Sequence, residues 1–222
     1  MRFPTRYIAL VILIVCGSCT SRPETLPMNI LEGERITRYR APEGKWNVLA
    51  SLLFETYGRR FTVLCSAEID SYKKRIATVG INPSSGMKVF EAISENGQIT
   101  HRYVMPDFEQ LKDLPENITR DMSRISFDLN PDGEKHRDKN SGLLCLEQND
   151  VVFLFDEKTN LLAEKKSVKN GGSGWKIDFR RYKIVDGYTV PHLIKLTCLR
   201  PGYSVLINVR NITFTGGGHK HE

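Results

Sequence analysis

The 222-residue chain is predicted to be mainly β: an antiparallel sheet of about ten or eleven strands, with short helices after the fifth. Three observations carry that expectation. Apolar and polar residues alternate through most of the body. Short Gly-, Asn- and Pro-rich turn signals separate these runs. One stretch alone, residues 106–123, spaces its apolar residues at three or four.

The chain opens differently. Arg2 and Arg6 precede an apolar run over residues 7–15 that closes on Cys16-Gly17-Ser18-Cys19. A basic start, a short apolar core and a small-residue exit make a secretory signal peptide, too short for a bilayer span of about 20 apolar residues. Gly17-Ser18-Cys19 resembles a bacterial lipobox, so residues 1–18 are read as a lipoprotein-type leader and Cys19 as the acylated residue. Residues 19–44 carry Pro23, Pro27 and Pro42 with little periodicity and read as a tether.

From residue 45 each element has its own warrant. Residues 46–57 are rich in Val, Leu, Ala and Phe, and Phe61, Val63, Cys65, Ala67 and Ile69 alternate with mainly polar neighbours, so the two runs form a hairpin around Gly58. Strands over 74–81, 87–93 and 98–104 follow, separated by Asn82-Pro83-Ser84-Ser85-Gly86 and Glu95-Asn96-Gly97. Phe108, Leu111, Leu114, Ile118 and Met122 predict one or two short helices, capped by Asp107 and interrupted near Pro115. Residues 130–142 read as a polar loop. Strands resume over 151–155 and 161–168, and Gly171-Gly172-Ser173-Gly174 connects to an alternating run from Trp175. Asp186-Gly187 is a hairpin signal, and strands over 188–199 and 203–214 end the domain. Residues 216–222 read as a disordered tail.

Composition excludes several functions. The formal charge of +6 falls to +4 when Arg2 and Arg6 leave with the leader, and basic residues are interspersed with acidic ones, so nucleic acid is not an expected partner. Cys65, Cys145 and Cys198 remain beyond the leader and anchor; an oxidising compartment allows one disulfide among them, with the pair undetermined. No metal or other cofactor is expected. There is no G-x-S-x-G or H-E-x-x-H motif, and no catalytic residue is assigned. The chain is read as a non-enzyme.

The strands nearest the ends of the domain are apolar on both faces, with Leu49, Leu52, Leu53 and Phe54 in the first and Leu193, Ile194, Leu196 and Leu199 in the penultimate. Such strands either fill a core or line an apolar hollow. Leu49, Leu53, Phe61, Val63, Phe90, Trp175 and Phe179 are the candidate ligand-binding residues.

Residues 45–214 resemble the LolA/LolB family of outer-membrane lipoprotein carriers. The resemblance rests on Gly58-Arg59-Arg60-Phe61, Val79-Gly80-Ile81-Asn82-Pro83-Ser84-Ser85-Gly86-Met87, Trp175-Lys176-Ile177-Asp178-Phe179 and Tyr188-Thr189-Val190-Pro191-His192-Leu193-Ile194-Lys195-Leu196, in that order. It implies a curved, incomplete antiparallel barrel over 45–215 with helices at its mouth. It also implies binding of a lipid or acylated protein in the hollow, at an outer-membrane, periplasm-facing location and beside possible envelope partners. The loop 82–86 lacks the projecting leucine of LolB, so the resemblance points to a relative that handles another hydrophobic or acylated ligand. The competing expectation is a structural or assembly lipoprotein with a filled core.

Overall fold

The turn chemistry read from the sequence sets the hairpins. Asn96-Gly97 and Asp186-Gly187 both take positive φ at their two central positions, as does Asn149-Asp150. That is the type I′ geometry whose twist matches the flanking strands. The computed structural model describes residues 41–56, 58–106, 114–129, 131–138, 142–168, 174–199 and 202–215. The leader, Cys19, the tether up to residue 40, Asp107 and residues 216–222 lie outside them.

In chain order the elements are β1 Lys45–Thr56, β2 Arg59–Asp70, β3 Arg75–Ile81, β4 Lys88–Glu95, β5 Gln98–Val104, α1 Leu114–Ser126, β6 His136–Arg137, β7 Leu144–Gln148, β8 Val151–Phe155, β9 Leu162–Ser167, β10 Trp175–Val185, β11 Tyr188–Cys198 and β12 Tyr203–Phe214. The strands form one twelve-stranded sheet in the order β5-β4-β3-β2-β1-β12-β11-β10-β9-β8-β7-β6. Every neighbouring pair is antiparallel. The sheet curves without closing, leaving β5 and β6 as its edges: an incomplete barrel, as expected.

The structure has twelve strands where about ten or eleven are expected. The two strands added are β6, two residues inside the stretch read as a polar loop, and β7, where only Leu146 is fully buried. Neither has enough alternation to register in the sequence. The described helix begins at Leu114, and residues 107–113 lie outside the described ones. Pro115 lies in the first turn of α1, where its missing N–H costs nothing because no intrahelical partner exists there.

Two meanders, β1–β5 and β6–β12, join where β1 pairs with β12. The chain therefore leaves one sheet edge at β5, passes through α1, and re-enters at the other edge. Ile118, Met122 and Ile125 form the apolar stripe of α1 and pack into the concave face, while Glu116 and Arg120 pair at 2.6 Å on the outer side. Bulges bend the sheet: Arg210 is the extra residue in β12 opposite β1, and Val89 is the extra residue in β4 opposite β3. The first moves the buried positions of β12 from Val205, Ile207 and Val209 to Ile212. The second lets the consecutive residues Val89 and Phe90 both be buried. Cys65, Cys145 and Cys198 are free thiols.

Candidate functional site

The concave face is built from alternate residues of paired strands. In β1 these are Trp46, Val48, Ala50, Leu52 and Phe54, and β2 supplies Phe61, Val63, Cys65, Ala67 and Ile69 opposite them. Size varies along this face. Phe54 stacks on Phe61 with ring centroids 4.9 Å apart, and Leu52 faces Val63, so one end is filled. Ala50 pairs with Cys65 and Val48 with Ala67, so small side chains meet in the middle. They leave a cavity of about 80 Å³.

Ile194 of β11 and Ile207 and Val209 of β12 supply another wall, and Ile69 and Ile76 continue it across β2 and β3. Met122, Ile125 and Ser126 of α1, with Leu129 beyond it, form the roof. Pro42 reaches the cavity from the N-terminal side, where Gly44 and Ser71 exchange hydrogen bonds: Gly44 N–H donates to Ser71 Oγ at 2.9 Å and Ser71 N–H to the Gly44 carbonyl at 2.9 Å. The segment read as a tether up to residue 44 thus packs on the domain from Ala41, which is buried. Among the described residues, Ser126 is the one hydroxyl in the lining. Apolar cavities of this kind stay dry and accept apolar guests.

None of the seven candidate residues lines this cavity. Leu49 and Leu53 are on the opposite, convex face, a correction to the expected lining. They pair with the exposed Ser66 and Thr62, and Leu49 is itself 38% exposed. The run around Leu49–Phe54 is apolar at both parities, and only the alternation of β2 decides which parity turns inward. The other five belong to the concave face but are packed elsewhere. Phe61 and Val63 face Phe54 and Leu52 at the filled end. Phe90 covers Gly80, and Phe179 is buried opposite Ile194. Trp175 lies 5.2 Å beneath the Arg124 guanidinium. The lining residues that were missed, above all Ala50 and Ala67, have a sequence signal: small side chains at consecutive inward positions of adjacent alternating strands.

Polar groups tie the roof to the sheet. Asp121 of α1 is buried, and its carboxylate accepts hydrogen bonds from Tyr203 Oη and, at 3.6 Å, from Cys198 Sγ, while Arg124 donates to it at 2.7 Å. Burial outweighs these donors and raises its pKa to about 6, against the lowering influence of Arg124, Cys198 and Arg120. Burial, with Asp121 adding to it, pushes the Cys198 thiol to about 12. At the C-terminal end of α1, the buried Lys165 of β9 donates to the carbonyls of Arg124 (2.9 Å) and Phe127 (2.8 Å). It caps the negative end of the helix, and burial lowers its pKa to about 8.

The curved, open sheet roofed by a helix has solved counterparts. A LolA superfamily protein from Nitrosomonas europaea superposes with a TM-score of 0.56 at 11% identity, covering 84% of this chain and 93% of that one. A DUF1329 family protein from Desulfovibrio piger gives 0.50 at 11% identity, covering 79% and 87%. The chain has the LolA/LolB-like fold. No protein-family model matches the sequence, and no curated protein matches it. Identity at this level carries the fold alone. In the LolA/LolB-like frame of this chain, the apolar cavity and its helical roof occupy the concave side of the sheet.

Proposed function

We propose that the protein is a lipid-anchored, non-enzymatic component of the cell envelope that binds a hydrophobic or acylated ligand on the concave side of its sheet. The observation that carries this reading is the cavity between the sheet and α1, whose lining is apolar apart from Ser126. A LolA/LolB-like fold supports it, since the neighbour from Nitrosomonas europaea is named as a LolA superfamily protein. The ligand class is an acyl chain, on a lipid or on an acylated protein. The location that follows is the outer membrane facing the periplasm, with the domain held there through acylated Cys19. Release needs no chemistry, only competition between the cavity and a membrane or envelope partner.

A second reading has an observation of its own. Ligand pockets typically run to roughly 300–1,000 Å³, and about 80 Å³ is far below that range. An envelope assembly protein with a nearly filled core, acting through its surface, accounts for the small volume directly. The carrier reading instead requires α1 to move when ligand enters. Organic extraction of unacylated protein (Cys19→Ser) and mass spectrometry separates the two. Co-purified lipid near one per chain supports the carrier. A clean extract, together with no uptake of a fluorescent fatty acid, overturns it.

A further inference from the structure

Among the described residues, both buried charges that meet α1 tie it to the sheet rather than to solvent. Asp121 joins the helix to β11 and β12, and Lys165 joins its C-terminal carbonyls to β9. We propose that α1 is a proton-linked roof: protonation of Asp121 or deprotonation of Lys165 tightens its hold on the sheet, so the cavity is most accessible near neutral pH. The proposal rests on the ligand-binding reading for its purpose, but the roof itself is defined by geometry.

The charged groups around each tie decide the sign. Asp121 faces Arg124 and Arg120 from its own helix, Cys198 from β11 and Tyr203 from β12. Arg124 is partly exposed and shares its guanidinium with the Trp175 ring, so the carboxylate lacks a fully buried counter-charge. Lys165 faces Asp128, Arg124 and Lys74, and Asp128 is itself exposed and engaged with Lys74 at 3.2 Å. The Lys165 Nζ is left with two carbonyls and the Phe153 ring at 5.3 Å. A neutral amine still donates to both carbonyls, and a neutral carboxyl still accepts from Tyr203. Each tie therefore survives the loss of charge while the cost of burying that charge disappears.

The docked Asp121 titrates near 6 against an ordinary 3.8, so it holds a proton that an undocked helix gives up. Docking strengthens as pH falls through 6. The docked Lys165 titrates near 8 against an ordinary 10.5, so docking strengthens again as pH rises above 8. Between the two, both groups are charged and the roof is loosest.

The test follows stopped-flow uptake of the uncharged dye Nile red by the unacylated full chain (Cys19→Ser), with hydrogen exchange of the α1 amides corrected for intrinsic pH dependence. Uptake and exchange should both be about tenfold slower at about pH 5 and about pH 9 than at about pH 7.5. Asp121→Asn should flatten the acid limb alone, and Lys165→Gln the alkaline limb alone. Exchange of α1 that ignores pH, or an acid limb that survives Asp121→Asn, overturns the proposal. Wild-type exchange decides the matter if a variant does not fold. If the dye never binds while exchange keeps both limbs, the roof stands and the ligand-binding reading falls. If the dye binds while exchange stays flat, the reading stands and the roof falls.

Discussion

Gly80 shows how a single side chain is dictated by its neighbour across the sheet. A Cβ built there would lie 2.2 Å from a ring carbon of Phe90, its partner in β4. The ring lies flat over the glycine and could not do so over any larger residue. Gly80→Ala should therefore cost about 1–3 kcal/mol, the usual penalty of overpacking. Urea unfolding checks this, and combining it with Phe90→Leu should return part of the loss. Tyr203 poses the complementary case. Its hydroxyl donates to the buried carboxylate of Asp121, so Tyr203→Phe leaves that oxygen short of a donor. The expected loss is about 1–3 kcal/mol by the same measurement, with the titration of Asp121 moving further upward. The pairing of Asp121 with Tyr203 is not visible in sequence, because the two are 82 residues apart.

Among elements, the parity of a strand matters more than its composition. The sequence shows β1 as apolar on both faces, and reading Leu49 and Leu53 as inward was a choice of parity that hydrophobicity alone cannot make. Pairing with β2 makes it, because Val63, Cys65 and Ala67 must share the face of Leu52, Ala50 and Val48. The same pairing aligns small residues and opens the cavity. Ala67→Leu should fill that space, lowering fluorescent fatty-acid binding at least tenfold on the ligand-binding reading while leaving the melting temperature unchanged or raised. A lost transition together with lost binding would show that the position is packed rather than open. In β12, Val205, Ile207 and Val209 share the inward face, but the bulge at Arg210 transfers the inward role to Ile212. A bulge is a local backbone event set by the partner strand, so simple alternation passes over it.

For the whole molecule, the consequential contact is β1 with β12, the first strand with the last. It turns two local meanders into one curved sheet and places α1 across the concave side. It also brings the end of the N-terminal segment, at Pro42, to the cavity. Cys19→Ser should release the protein from the membrane fraction into the soluble one. A variant that still sediments with membranes would remove the anchor from the proposed function. The meander of β1–β5, the turns at Asn96-Gly97 and Asp186-Gly187, and a helical break between two β halves were legible because they depend on neighbours within a few residues. Local periodicity and turn chemistry are enough to encode them. The inward face of β1, the cavity beside Ala50 and Ala67, and the meeting of Asp121 with Cys198 and Tyr203 belong to the folded molecule alone. They arise when strands distant in sequence come into register, and in a strand a shift of one residue moves every side chain to the other face.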